Sequence, residues 1–252
     1  MDGVRCAMTM NMPDEAVDFL GTLSREFPHD PEVLYFSTHA YSDLSIRASQ
    51  ELVYTAPSSY QVRELNAEAL EQQGKWDDAA AEYRKILSQN PRLPGMHFRL
   101  ARLLLSKPEP SPQSIDEAKR ECEQELTVDP KSAGAEYVLG ELAREDRQWD
   151  EAIKHFSRAT KFDSSFADAF FGLGTALISA DRFAEAIAPL EAYVKINPAD
   201  PAGHFHLGTA YSRTAHKAEA TKEFALYKEA NNTVRDTKEK LSKGLNNIPP
   251  KN

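Results

Sequence analysis

The sequence predicts an all-α solenoid of antiparallel helix pairs, and three observations carry that prediction. Leu139-Gly140, Leu173-Gly174 and Leu207-Gly208 recur at intervals of 34 residues. Ala152, Ala186 and Ala220 recur at the same interval, and Phe156, Leu190 and Phe224 each follow one of those alanines by four residues. Unrelated marks that share one period define an internal repeat. Within each period apolar residues fall at helical spacing, and no segment shows the strict alternation of a half-buried strand. One helix pair is too small to bury its own apolar face, so neighbouring pairs must stack.

The run FFGLGTALISADRF, Phe170 to Phe183, contains a glycine pair resembling a phosphate-cradling loop. Such a loop needs glycines between a strand and a helix N-terminus, so that free N–H groups point at the anion. Gly172 and Gly174 instead lie inside a helical pattern, and Gly174 shares its phase with Gly140 and Gly208. A missing side chain there lets the partner helix approach, which outweighs the roughly 1 kcal/mol that glycine costs a helix. Pro28, Pro57, Pro91, Pro130 and Pro198 close second helices, because the residue before proline avoids helical geometry. Pro94 and Pro201 are expected to open first helices, where a missing N–H is harmless. Pro189 falls inside a second helix and predicts a modest kink. Trp76 and Trp149 share a phase with Phe183, just before each second helix, and read as anchors between the two helices of a repeat.

The last full copy places His204, Leu207, Gly208, Tyr211, Ala220 and Phe224 at successive marks. The copy before it reads Phe170, Leu173, Gly174, Leu177, Ala186, Leu190 and Pro198, and the one before that Glu136, Leu139, Gly140, Ala143, Ala152, Phe156 and Ala159. On these residues the chain resembles the tetratricopeptide repeat (TPR) family, and bacterial members of it in particular. Further back, Leu100-Ala101 occupies the Leu-Gly slot. Its second helix, around Ala118, Cys122 and Leu126, comes five residues late because SKPEPSPQS, Ser106 to Ser114, is inserted. Ala67 and Leu70 lead to Ala79, Tyr83, Ile86 and Pro91. Ala16, Leu20, Leu23 and Pro28 match only a second helix, whose first-helix partner is missing or reduced to the residues before Met12.

The expected organisation is an array over 1–232: a half-repeat at 13–30, a shortened copy at 31–59, then repeats at 60–93, 94–132, 133–166, 167–200 and 201–232. A polar capping helix at 233–245 and a flexible tail at 246–252 complete it. The resemblance implies a right-handed superhelix whose first helices line a concave groove that holds a protein or peptide.

Carried onto this chain, the family's groove slots hold Tyr35, Phe98, Tyr137, Phe171 and Phe205, an aromatic ladder interrupted by Glu64. Phe36, Arg99 and His206 sit beside it, with Val138 and Gly172. His39, Arg102, Glu141, Thr175 and Thr209 follow one turn on, and Arg144 and Arg213 lie near the helix ends. Two readings stand for the aromatics: packing against the next repeat, or contact area for a ligand, the usual composition of a binding hot spot. Gly95, Gly134 and Ala202 are expected to leave room for a ligand backbone. Arg99, Arg102 and Arg144 either form a positive patch for a carboxylate or pair with Glu141 and Glu145. The carboxylate clamp of co-chaperone members is absent, since its slots carry Glu64, Phe98, Tyr137 and Thr175.

Composition excludes several classes. With 252 residues and a formal net charge of −9, the chain lacks the basic face that nucleic-acid phosphates require. No apolar run approaches the roughly 20 residues of a membrane span. The N-terminus has no signal-peptide core, which predicts a cytoplasmic chain, or a periplasmic or exported one if a leader has been removed. Cys6 and Cys122 have no CxxC spacing, and Cys122 reads as a small buried hydrophobe. No HExxH, nucleophile elbow or Walker loop occurs, and His204 and His206, two apart on a helix, point in different directions. The chain therefore reads as a non-catalytic scaffold or adaptor without metal or cofactor. The alternative is a self-association module that forms a homodimer through its open N-terminal edge.

Overall fold

The computed structural model describes residues 1–246, and all regular structure among them is helical. The chain divides into two compact units, Met1–Ile86 and Leu87 onward. The first contains α1 (Asp2–Thr9), α2 (Pro13–Glu26), α3 (Pro31–Thr55), α4 (Tyr60–Gln72) and most of α5 (Trp76–Gln89). The second contains α6 (Met96–Leu105), α7 (Pro112–Val128), α8 (Ala133–Glu145), α9 (Trp149–Phe162), α10 (Ala167–Ser179), α11 (Phe183–Ile196), α12 (Pro201–Arg213) and α13 (Lys217–Asn246).

Two elements differ from expectation, and one of the two alternatives left open for the N-terminal half-repeat is met. The partner of the 13–30 half-repeat exists in reduced form as α1, whose buried Val4 and Ala7 pack with Ala16 and Leu20 of α2 and Ala40 of α3. The shortened pair expected at 31–59 is one uninterrupted helix of 25 residues. Nothing between Pro31 and Pro57 is glycine or proline, so no residue there breaks the backbone. For the same reason the cap expected at 233–245 is not separate: α13 runs unbroken from the second helix of the last repeat. Residues 247–252 of the expected tail lie outside the described residues.

Helix starts follow local chemistry. Asp30 accepts from the N–H groups of Glu32 and Val33 at 2.9 and 3.0 Å, and Ser59, Ser111, Ser132 and Asp200 cap their helices similarly. Pro201 opens α12 as expected, but Pro94 lies in the turn ahead of α6, which Gly95 caps at a φ of 85°. That left-handed backbone explains the glycine. The α6 N-terminus is satisfied across the pair instead. Glu125 of α7, 1% exposed, accepts from the Gly95 N–H at 2.7 Å and the Phe98 N–H at 3.2 Å. Glu125→Ala is expected to lower stability by about 1–3 kcal/mol, because it strands those donors; urea unfolding measures it.

First helices end at one recurrent device. Asn11, Gly74, Arg147, Asp181 and Ala215 all take positive φ. The N–H one residue beyond reaches back to close the turn, as in Gln148 to Ala143 and Arg182 to Leu177, both at 2.8 Å. Four of these five positions carry a side chain that opposes the conformation. Ala215→Gly is therefore expected to stabilise the chain by roughly 1 kcal/mol, seen as a raised Tm.

In the second unit, glycines set helix spacing. A Cβ on Gly140 or on Gly172 would come within 2.7 Å of the buried Phe156 ring, and one on Gly174 within 2.5 Å of Leu190. One ring of α9 thus packs against α8 of its own repeat and α10 of the next. Four repeats also carry a polar pair between their two helices at a shared phase: Arg63–Glu82 at 3.2 Å, His97–Glu121 at 2.5 Å, Glu136–His155 at 2.6 Å and His204–Glu223 at 2.7 Å. In the 167–200 repeat those slots hold Phe170 and Pro189, and α11 continues through the buried Pro189. Cys122 is fully buried, and burial followed by Glu125 pushes its thiol up to about 12, which suits a small core hydrophobe.

Candidate binding groove

The first helices α6, α8, α10 and α12 lie side by side in the second unit. Each presents one ladder aromatic. Phe98 of α6 does not stand free: its ring fills the space above Gly134, where a Cβ would lie 2.6 Å away. The room expected at Gly134 is therefore taken by the preceding repeat. Gly95 is open, with nothing within 4 Å of a would-be Cβ. Ala202 is half-buried.

The other aromatics divide their surface between core and solvent. Tyr137 packs on Phe166 with centroids at 4.8 Å and on Phe156 at 5.8 Å. Burial, then Glu141 and Asp168, push its hydroxyl up to about 12, so it stays a neutral donor. Phe171 rests on Tyr193 at 4.8 Å and meets His206 edge-on at 5.4 Å. His206 in turn meets Phe205 at 5.4 Å, and Phe205, 44% exposed, leans on Tyr227 at 5.5 Å. Phe171, His206 and Phe205 thus form one continuous row across α10 and α12. Such rings give rigid contact area at low entropic cost.

His206 is held below the ordinary histidine value of 6.5 by burial, with Asp200 opposing. A depressed folded value means the unfolded chain binds the proton more readily. The contribution of neutral His206 is therefore present above about 6.5 and lost as pH falls toward the folded value. An NMR titration is expected to place the His206 midpoint below that of a histidine peptide.

The polar groups are largely committed. Arg144 forks onto Glu141 at 3.1 and 2.7 Å, which raises its already high pKa, so the pairing alternative describes this arginine. Arg213 stacks on Phe183 at 4.1 Å. Thr175 and Thr209 donate to the carbonyls of Phe171 and Phe205 in their own helices, at 2.9 and 2.8 Å. Arg102 is exposed and Arg99 half-buried on α6.

Tyr35, Phe36 and His39 form their own cluster in the first unit. Tyr35, 69% exposed, meets His39 edge-on at 4.4 Å, and Arg5 of α1 lies 5.4 Å from the Phe36 ring. Phe166, Tyr193, Tyr227 and Arg5 were absent from the expected set. Tyr193 and Tyr227 are 34 residues apart, so extending the period through second helices finds them.

Among the described residues no group of three or more His, Cys, Asp or Glu could hold a metal ion, and no helix is long and apolar enough to cross a membrane. Stacked helix pairs, with one face of first helices bearing the aromatics, define a helical-repeat scaffold. Models of the tetratricopeptide repeat match residues 67–103, 113–166 and 137–201, together half of the chain. The chain belongs to the tetratricopeptide repeat family, whose fold mediates protein–protein interaction rather than catalysis.

Solved structures agree on the fold. MamA is 23% identical with a TM-score of 0.59, over 68% of this chain and 96% of that one. YrrB, described as a TPR protein with an unusual peptide-binding site, is 17% identical with a TM-score of 0.58, over 73% and 92%. The pilF protein of Pseudomonas aeruginosa is 18% identical with a TM-score of 0.56, over 68% and 76%. No curated protein matches the chain by sequence.

Proposed function

We propose that the first-helix face of α6, α8, α10 and α12 holds a segment of a partner protein, and that the chain acts as an adaptor or assembly factor. The observation that carries this reading is the row Phe171, His206 and Phe205, whose inner edges are packed while Phe205 stays exposed. A row of that kind offers apolar area already held in place, which lowers the entropic cost of binding. Arg102 and the Glu141–Arg144 pair, on the same helices, supply polar groups that fix register. The groove slots do not resemble the clamp for a chaperone's C-terminal carboxylate, so an internal segment is favoured.

The test is a pull-down from source-cell lysate, wild type beside Phe171→Ala/Phe205→Ala, with far-UV circular dichroism matched. A partner held by wild type and lost by the variant supports the groove. Identical partners for both would overturn it. A second reading, homodimerisation through the N-terminal edge, is favoured by the exposed Val17, Phe19, Phe27 and Leu34. Light scattering separates the two, since a concentration-independent monomer removes the dimer.

A further inference from the structure

The second unit holds a cleft of about 520 Å³ between α7 and the α8–α9 pair. Here α8 presents Leu139, Leu142 and Ala143, a set distinct from the groove residues Tyr137, Glu141 and Arg144. These residues, with Ile115 and Leu126 of α7, make an apolar floor, and Ile115 and Leu126 are only half-buried. The rim is acidic on every helix that builds it: Asp116 and Glu123 on α7, Glu145 and Asp146 at the end of α8, and Glu151 on α9. All five are exposed. Lys119 is the single lysine or arginine on the lining. His155 is already bound to Glu136 through Nδ1 at 2.6 Å, and Glu151 to Lys154 at 3.1 Å.

We propose that this cleft is a second docking site, taking a short peptide segment of a partner that carries lysine or arginine beside a large apolar side chain. The floor favours an apolar group, because it lets Ile115 and Leu126 lose their remaining contact with water. The rim demands positive charge: an acidic segment is repelled, and a neutral apolar one desolvates carboxylates without a counter-charge. The volume lies in the range of small-ligand pockets, which suits one or two anchoring side chains rather than a whole helix. The site is independent of the aromatic row and would serve a different segment or a different partner.

Fluorescence anisotropy with labelled peptides tests it. The probes are one peptide alternating leucine and arginine, one alternating leucine and glutamate, and one alternating serine and arginine. The leucine–arginine peptide is expected to bind, more weakly as salt rises, and the other two to bind far less. Glu123→Lys/Asp146→Lys should weaken binding roughly tenfold or more. Glu219→Lys/Asp236→Lys on α13 changes net charge equally and should leave binding unchanged, as should Phe171→Ala/Phe205→Ala. Equal loss in the α13 pair would mean that overall charge alone attracts the peptide. Equal binding of the serine–arginine peptide would remove the apolar floor from the account. Either result, or no binding, overturns the proposal.

Discussion

Phe156→Ala is expected to be the most damaging single substitution in the chain, costing about 3–5 kcal/mol. The ring is fully buried and packs between Gly140 of its own repeat and Gly172 of the next. It also supports Tyr137 from below. Glycines on both sides carry no side chain that could swing in to fill the void, so collapse requires the helices themselves to move. Repeat arrays are held by nearest-neighbour interfaces, and this ring serves two of them. Urea unfolding should therefore show both a lower midpoint and a shallower slope, as the halves of the second unit begin to unfold separately. A loss under about 1 kcal/mol would mean that the ring is not the wedge described.

Gly174→Leu is the second large effect. The first added carbon would lie 2.5 Å from Leu190 Cγ and 2.6 Å from its Cδ2. Leu190 is fully buried and has no free volume to enter. Overpacking costs typically about 1–3 kcal/mol, and the upper end is expected here because γ and δ carbons follow the first. The control is Gly21 in α2, a helical glycine where a Cβ meets nothing within 4 Å. Gly21→Ala should stabilise by roughly 0.5–1 kcal/mol through helix propensity. Opposite signs at two helical glycines would separate close packing from propensity in one thermal-melt series. An unchanged melt for Gly174→Leu would defeat the packing account of the repeat glycines.

The repeat was legible because its marks are local and periodic: Leu-Gly, Ala and Phe each mark a packing contact that recurs with the fold. Where the period failed, so did the reading of the helices. The 31–59 segment has too few residues for two helices and nothing to break one, and α3 runs through it. The cap was expected as a separate element because polarity rises after Thr233, but polarity alone does not end a helix without a breaker.

At the groove, residue types were readable and their commitments were not. Gly134 looked like vacant space, yet Phe98, 36 residues earlier, fills it. His204 was legible as the first mark of its repeat, but its pairing with Glu223 across the repeat and with the Pro198 carbonyl at 3.0 Å was not. Those pairs recur as Arg–Glu, His–Glu and Glu–His, so the polarity of the slot pair persists while its residues exchange. A search for one residue at one phase passes over such an exchange. Complementary partners 19 residues apart, or 24 across the insertion, reveal it.

The central claim is that the first-helix face of the second unit is the surface that meets a partner. Its most direct test places photo-reactive benzoylphenylalanine in place of Phe205 on α12 and, separately, in place of the exposed Lys195 on α11, in the source cells. The account predicts a discrete protein adduct from position 205 and none from position 195. The crosslinked peptide, sequenced by mass spectrometry, would name the bound segment. Adducts from position 195 with none from position 205 would contradict the account and move the working surface to the second helices.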